Sequence, residues 1–191
     1  MIIYTTASTE KELYEILALQ KGNLPANLSD KEMESQGFVT VQHSFEDLKK
    51  MNNIEKHVIA KDGEKVIAYL LAMTKKSKAD IPVLIPMFEM FDHIIFNNKP
   101  ISSFCFIVVG QVCVHKQYRG IGVLDHCYFF YREHFKNKYN FAVTEIDTKN
   151  LRSLNAHKRV GFNEAHRYKS PDETEWSIVL WDWRATEKSE T

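Results

Sequence analysis

The stretch HKQYRGIGVLD, residues 115–125, joins a long apolar segment to an amphipathic one and carries two glycines one residue apart. Residues 104–114 before it are β-prone throughout, which is typical of a central strand buried on both faces. The residues after it repeat apolar side chains at three- and four-residue spacing, as a helix does. The stretch is therefore predicted to connect a buried strand to a helix.

A strand–turn–helix junction of this kind is suited to binding an anion. The first turn of a helix has N–H groups without intrahelical acceptors, and the helix dipole adds partial positive charge there. Gly120 and Gly122 let the backbone approach a bulky anion and tolerate positive φ, while Arg119 can add charge and Gln117 can brace the loop. An ordinary turn explains the same residues, because the third glycine of a dinucleotide fingerprint and the Lys-Ser/Thr pair of a P-loop are absent.

Hydrophobic periodicity predicts one domain over residues 1–191, without internal repeats or linkers. The hairpin signal Asp62-Gly63 separates two β-rich segments. Predicted strands cover residues 2–6, 57–61, 65–74, 104–114, 141–147 and 176–183, and predicted helices cover 10–20, 29–36, 44–51, 86–96, the segment after Gly122 and 151–160. Helices come first, then a meander, then alternating strands and helices, which indicates a mixed sheet and an α/β fold of the α+β type.

The composition of the chain limits the kinds of partner that it can bind and indicates the cellular compartment. Lys plus Arg and Asp plus Glu number 25 each, so no net charge draws the chain to nucleic acid or to an anionic membrane. The three cysteines lie in apolar segments and form no CxxC pair, which predicts a reducing, cytoplasmic environment and no metal site. The first residues lack a signal-peptide pattern, and the apolar run 104–114 is too short to span a bilayer.

A second block of sequence lies one helix and one strand beyond the glycines. It reads EIDTKN at residues 145–150, continues through Ser153 and ends in HKRVGF at residues 157–162. Residues 117–122, QYRGIG, resemble a Q/R-x-x-G-x-G/A pyrophosphate loop, and the two blocks together resemble the GNAT N-acetyltransferase superfamily. The resemblance covers the core motif region, residues 104–162, while the N-terminal half fits the family layout without a motif of its own.

The resemblance implies a fold and a cofactor site. It implies a mostly antiparallel sheet of about seven strands, with helices on both faces and a V-shaped splay between the fourth and fifth strands that holds acetyl-CoA as co-substrate. The pyrophosphate would meet the loop amides, the pantetheine would meet the fourth strand, and an amide near Val114 would polarise the thioester carbonyl. The implied cofactor-binding residues are Val112, Cys113, Val114, Gln117, Arg119, Gly120, Ile121, Gly122, Val123, Asn150 and Ser153.

Glu145 is the candidate general base. Transfer of an acetyl group to a primary amine requires the amine to lose a proton, and a lysine-type amine has a pKa near 10.4. Some members of the family that the chain resembles carry a catalytic glutamate at the matching place. Glu145 can equally be a structural carboxylate that pairs with Arg152 or Lys149, and the sequence does not say which face of its strand lines the cleft.

His157 stands where the family often has a tyrosine that protonates coenzyme A. An imidazole of near-neutral pKa can donate a proton or act through water. His157 also lies on a helical stripe with Leu154 and Gly161, which is equally consistent with a buried, hydrogen-bonded core histidine. Tyr131 and Tyr168 are further hydroxyl candidates for the acid.

Residues 79–101 form an apolar insertion between the third and fourth strands of the sheet. An apolar segment of this length must be buried somewhere. It can cover the acceptor cleft, with Phe88, Phe91 and His93 as substrate-binding residues. It can instead form the contact of a homodimer, or simply extend the core.

These observations predict an enzyme that transfers the acetyl group of acetyl-CoA to a primary amine of a small molecule or peptide, by direct attack in a ternary complex. The alternative is a catalytically weak acyl-CoA sensor or interaction protein of the same fold, which the histidine at position 157 keeps open. A nucleotide-binding α/β domain is a third interpretation, disfavoured by the missing glycine and lysine. We expect no metal ion, nucleic acid or membrane among the partners.

Overall fold

Seven of the strands assemble into one sheet with helices packed on both of its faces. The structure is a computed structural model, and it describes residues 1–78 and 85–184. The strands of the sheet are β1 (Ile2–Thr6), β2 (Val58–Asp62), β3 (Lys65–Met73), β6 (Phe106–Val114), β7 (Phe141–Asp147), β8 (Asn163–Lys169) and β9 (Glu175–Asp182), and the two-residue strands β4 (Ile95–Phe96) and β5 (Lys99–Pro100) form a separate hairpin. The helices are α1 (Glu10–Lys21), α2 (Asp30–Gln36), α3 (Phe45–Ile54), α4 (Ile85–Met90), α5 (Val123–Phe135) and α6 (Leu151–Val160).

The fourth and fifth strands of the sheet, β6 and β7, separate after a short paired stretch. The sheet order is β1-β2-β3-β6-β7-β9-β8, and the β6–β7 pair is parallel whereas the other neighbours are antiparallel. Pairing between them covers only Phe106–Val108 of β6 and Phe141–Val143 of β7. At the vertex the Thr144 hydroxyl donates to the Val109 carbonyl over 2.8 Å. The predicted fold class, including the V-shaped splay, is confirmed.

A β-bulge in β6 lies beside that vertex. Leu70 of β3 pairs with Val112, but Ala72, two residues further along β3, pairs with Val109, so β6 carries one extra residue. A Cβ at Gly110 would lie 1.8 Å from the Met73 sulfur, so glycine is required for this packing. Because of the extra residue, the side chains of β6 after the bulge point to the opposite face of the sheet from the one that simple alternation would predict.

The two faces of the sheet carry separate cores, and this settles the orientation of β7. The core beneath α1 and α3 includes Val143, whereas the core beneath α5 includes Ala142 and Ile146. Because side chains alternate along a strand, Glu145 and Asp147 lie on the α1 and α3 side with Val143.

The apolar insertion extends the first core. Five of its side chains are buried there with the ends of β6 and β7, and the Phe91 ring meets the edge of Phe106 at a centroid distance of 5.2 Å. The five are Met87, Phe88, Phe91, Ile94 and Ile101. The first part of the insertion, residues 79–84, lies outside the described residues.

The prediction of a helix over residues 86–96 is wrong in its second half. Helix α4 ends at Met90, and β4 and β5 follow as a hairpin. Asn97 and Asn98 form its turn at φ of 48° and 63°. Asparagine tolerates this left-handed conformation better than most residues. A residue in this conformation cannot continue a right-handed helix.

Strand β8 is absent from the sequence prediction. Its residues, NEAHRYK, are mostly polar, and it is the outer strand beyond β9. An edge strand has little apolar surface to bury, and charges there discourage pairing with other chains. The polar pattern that hides this strand from prediction therefore follows from its place in the sheet.

Candidate functional site

A cavity of about 430 Å³ opens where β6 and β7 separate. Its walls are the end of β6, the loop at residues 118–122, the first turn of α5, one side of α6, and the chain at residues 36–39. The edge of β6 that faces β7 is free of strand pairing beyond Val108. An extended ligand can therefore lie along β6 in place of a strand.

The two glycines shape one end of this cavity. Gly120 and Gly122 have φ of 79° and 85°, the left-handed region that favours glycine, and nothing lies within 4 Å of a Cβ added at Gly120. The first bond of α5 runs from the His126 N–H to the Gly122 carbonyl at 3.1 Å. The N–H groups of residues 123–125 precede that bond, so the loop and helix end form an open cradle for an anion such as a phosphate.

Charged side chains at the rim favour an anion in that cradle. The Asp125 carboxylate would oppose one, but Arg159 donates to both of its oxygens at 2.9 and 3.1 Å. Arg152 also lines the cavity, is exposed, and forms no ion pair within the described part of the chain. The rim therefore carries an unbalanced positive charge.

Arg119 ties the loop to the N-terminal helices. Its guanidinium donates to the Val114 carbonyl at 2.9 Å, to the Asn23 side chain at 2.6 Å and to the Gln36 side chain at 3.3 Å. Three acceptors hold the group in place, so its first role is to position the loop. Its charge still lies on the wall of the cavity.

A segment that we call the crossing segment, residues 37–41, spans the splay. From β6, the Gln111 amide donates to the Val41 carbonyl at 2.7 Å, and from beyond β7, the Asn150 amide donates to the Phe38 carbonyl at 3.0 Å. A Cβ at Gly37 would lie 2.8 Å from the Asn150 side-chain oxygen, so the contact requires glycine. Both arms of the splay thus hold the crossing segment over the opening.

A second, smaller cavity of about 70 Å³ adjoins the first. The crossing segment, the bulge of β6, the end of β7 and Trp176 of β9 form its walls. The residues common to both cavities are Phe38, Val39, Val112, Asn150, Ser153 and His157. The two cavities are therefore adjacent, and these six residues form their common boundary.

Glu145 lines the smaller cavity with a carboxyl that can exchange a proton near neutral pH. Burial raises its pKa to about 7, and the hydrogen bond from the Tyr168 hydroxyl to Oε2, at 2.6 Å, acts in the opposite direction. No ion pair joins it to Arg152 or Lys149 in residues 1–78 and 85–184. The carboxyl is thus held by one hydroxyl, and no cation of the described residues pairs with it to keep it ionised.

His157 is buried at the boundary of the two cavities, with both ring nitrogens occupied. Nδ1 lies 2.8 Å from the Ser153 carbonyl, which can only accept, so Nδ1 carries the proton. Nε2 lies 2.6 Å from the Tyr128 hydroxyl, which therefore donates to it. Burial lowers the pKa of His157 to about 4, so the ring is neutral and has no proton to give from Nε2.

The predicted site residues separate into groups. The larger cavity is lined by Val112, Cys113, Val114, Arg119, Gly120, Gly122, Val123, Asn150, Ser153 and His157. Glu145 lines the smaller one, whereas the exposed side chains of Gln117 and Ile121 line neither. Phe88 and Phe91 are buried in the core and His93 is exposed, so the prediction that they contact an acceptor has no support in the packing.

The residues that sequence reasoning missed share a physical reason. Asn23, Gln36 and the crossing segment reach the site through tertiary contacts across the chain, and Trp176 reaches it because β9 lies next to β7. Of these, only Gly37 gave a local signal, as a glycine directly after a capped polar helix.

In residues 1–78 and 85–184, no helix has the length and apolar character needed to cross a bilayer. The same ranges hold no group of three or more histidine, cysteine, aspartate or glutamate side chains placed to ligate a metal.

Solved structures share the architecture. No protein-family model matches the sequence, and no curated protein is significantly similar to it. The chain superposes on a structure of the NatC complex bound to Gag peptide and CoA with a TM-score of 0.63, 16% identity and coverage of 95% of this chain and 98% of the other.

Two bacterial structures are also similar to this chain. The ribosomal-protein-S18-alanine N-acetyltransferase of Escherichia coli gives a TM-score of 0.60 at 12% identity, covering 95% of this chain and 94% of the other. A candidate acetyltransferase of Salmonella typhimurium with its cofactor acetyl-CoA gives a TM-score of 0.59 at 10% identity, covering 95% of this chain and 93% of the other. Together with the splay, the bulge and the glycine loop, these likenesses show that the chain has the fold of the GNAT acetyltransferases.

Proposed function

We propose that the chain is an acetyl-CoA-dependent N-acetyltransferase that acts on a primary amine in the cytoplasm. The observation that carries the proposal is that the two cavities share a boundary in the splay. An anion cradle at residues 120–125 lines the larger cavity, and the partly buried carboxyl of Glu145 lines the smaller one. The neighbours with CoA or acetyl-CoA support this choice of co-substrate.

Different groups of residues suit different parts of the acetyl-CoA molecule. The N–H groups at the start of α5, with Arg152 and Arg159 nearby, suit the diphosphate. The free edge of β6 at residues 112–114 suits the amide groups of the pantetheine arm, and Asn150 can donate to the same arm once it releases Phe38. A backbone N–H near the end of β6 would stabilise the negative charge that develops on the thioester oxygen.

Glu145 supplies the proton acceptor. The Glu145 carboxylate accepts one proton from the ammonium, and the neutral amine nitrogen then attacks the carbonyl carbon. The carbon–sulfur bond breaks, and the second amine proton passes to the departing thiolate. The raised pKa of Glu145 makes it a stronger base than an exposed glutamate, yet it is still half ionised near neutral pH. The departing sulfur belongs to a thiol of pKa about 8.5, so at neutral pH it needs an acid less than the amine needs a base.

His157 holds the site together in this proposal. It links Ser153, at the first turn of α6, to Tyr128 of α5, and thereby fixes the helix turn that carries Asn150. A neutral imidazole with a hydrogen bond at each nitrogen is suited to holding these two helices in place. The missing tyrosine at this place is then compatible with turnover, because the proposed chemistry does not depend on an acid there.

Thiol release in the presence of amines tests the proposal. Purified chain is mixed with acetyl-CoA and a panel of small amines and short peptides, with Glu145→Gln as the matched variant. We expect steady release of CoA thiol, and a loss of about 100-fold in kcat for Glu145→Gln with acetyl-CoA affinity retained. Binding of acetyl-CoA without release would indicate a sensor, and absence of binding would contradict the proposal altogether.

A further inference from the structure

The smaller cavity presents two carboxylates on one face of β7. Glu145 and Asp147 are two residues apart, so their Cα atoms are on the order of 7 Å apart on the same side of the strand. Asp147 accepts a hydrogen bond from the Lys149 backbone N–H at 2.9 Å, and it forms no ion pair within the described residues. The Asp147 charge is thus balanced by no cation of the described chain.

Positive side chains are absent from the walls of this cavity. Its lining within residues 1–78 and 85–184 includes no lysine or arginine, and its only histidine, His157, is neutral with both nitrogens bonded. On the neighbouring strand β8, Arg167 is paired with Glu164 and Lys169 with Glu173. A carboxylate that entered the cavity would therefore meet the charge of Asp147, and that of Glu145 when it is ionised, with no cationic side chain in the described lining to pair with.

Trp176 adds a surface that suits a cation. Its indole lines the smaller cavity, and its N–H is occupied by a 3.0 Å bond to the Ser170 hydroxyl. Trp176 pairs with Asp147 across β7 and β9, so the two side chains share one face of the sheet, and a tryptophan ring attracts an ammonium group that meets its face. The cavity combines this ring with the carboxylates, and all three favour a positive ligand.

We propose that the acceptor is an amine that enters as an ammonium and carries no carboxylate near its amino group. This inference rests on the proposed acetyltransferase function and narrows its substrate class. Amino-acid amides, peptides without a nearby acidic side chain, and alkylamines or diamines belong to this class, whereas free amino acids do not. Rejection comes from like-charge repulsion in a partly buried site, where it is less screened than in water.

Matched acceptor pairs test the proposal in thiol-release assays. Butylamine is compared with 4-aminobutyrate, and the amidated dipeptide Gln-Ala with Glu-Ala, because each pair differs by a carboxylate and has amines of similar basicity. We expect the member without the extra carboxylate to have at least about tenfold higher kcat/KM. Asp147→Asn should raise KM for the favoured amine and reduce the ratio within each pair.

The control is Asp92→Asn, an exposed aspartate after α4 outside both cavities, which should leave the ratios unchanged. Equal or better turnover of the carboxylated member of a pair would overturn the proposal. So would ratios that Asp147→Asn leaves unaltered. Absence of thiol release with every amine would instead contradict the acetyltransferase function itself.

Discussion

Two opposing effects act on the Glu145 carboxyl. Burial raises its pKa, because the charged form loses water, and the Tyr168 hydroxyl at 2.6 Å lowers it by donating to the charged form. Burial prevails and the pKa lies at about 7. The basic form therefore increases as the pH rises through neutrality, which places the acidic limb of the rate profile there.

Tyr168→Phe should move that limb to higher pH. Without the hydroxyl the ionised carboxylate loses its hydrogen bond, so the pKa of Glu145 rises further, by about one unit for a bond of about 1.4 kcal/mol. The measurement is kcat/KM between about pH 5 and 9. A limb that stays in place or moves to lower pH would show that Tyr168 does not act on the base.

The control for this variant is Tyr139→Phe. Tyr139 donates the same kind of bond, 2.8 Å long, to Glu55, and neither residue lines a cavity of the site. It should reduce stability in a similar way and leave the pH profile unchanged.

At the scale of elements, the start of α5 combines backbone conformation with ligand geometry. Gly120 and Gly63 both have left-handed φ, of 79° and 57°, and an added Cβ meets nothing within 4 Å at either position. Gly120 lines the larger cavity, whereas Gly63 lies in the turn between β2 and β3. Alanine variants at the two positions therefore distinguish the backbone strain that a side chain causes from its effect on ligand binding.

Gly120→Ala should weaken acetyl-CoA binding by about tenfold or more, because the methyl group would occupy open space at the wall of the larger cavity, where the proposed diphosphate binds. Gly63→Ala should leave that affinity unchanged. Both variants should lose about 1 kcal/mol of stability from the left-handed conformation. Calorimetric titration and thermal unfolding of the two variants check this, and equal affinities would place the phosphates elsewhere.

The crossing segment shows how an element can depend on distant partners. Its bonds to Gln111 and Asn150 join residues 70 and 112 positions apart in the chain. Asn150 is also the residue that the family resemblance assigns to the pantetheine. Under the proposed function the ligand and the crossing segment would share the Asn150 amide, and its exchange between them would couple the two cavities.

For the whole molecule, a ligand in the splay contacts β6, the loop, α5 and α6 together. Such a ligand binds only the folded chain, and at 100 times its Kd it adds about 2.7 kcal/mol to the free energy of unfolding. In a chain of this length we expect acetyl-CoA to raise Tm by roughly 5–10 °C. ATP at the same concentration should raise it much less, and an equal shift would favour the nucleotide-binding interpretation.

Prediction from sequence succeeds where a pattern has one physical cause. Strand β6 is recognisable because an unbroken β-prone run suits only a buried strand, and α5 because its apolar residues keep helical spacing. It fails for β8, whose polar residues reflect an edge position that only the sheet defines. It fails in the second half of residues 86–96, where Asn97 and Asn98 open a hairpin inside an apolar segment.

By itself the sequence determined the order of the strands and helices other than β8 and the β4–β5 hairpin, together with the glycine turn, because periodicity and φ preference are local properties of the chain. Only the tertiary structure decided which face of β7 carries Glu145, that His157 is buried and neutral, and that the insertion joins the core. These features depend on packing between residues far apart in sequence. Burial, and with it the pKa of each group, exists only once the sheet and its helices have assembled.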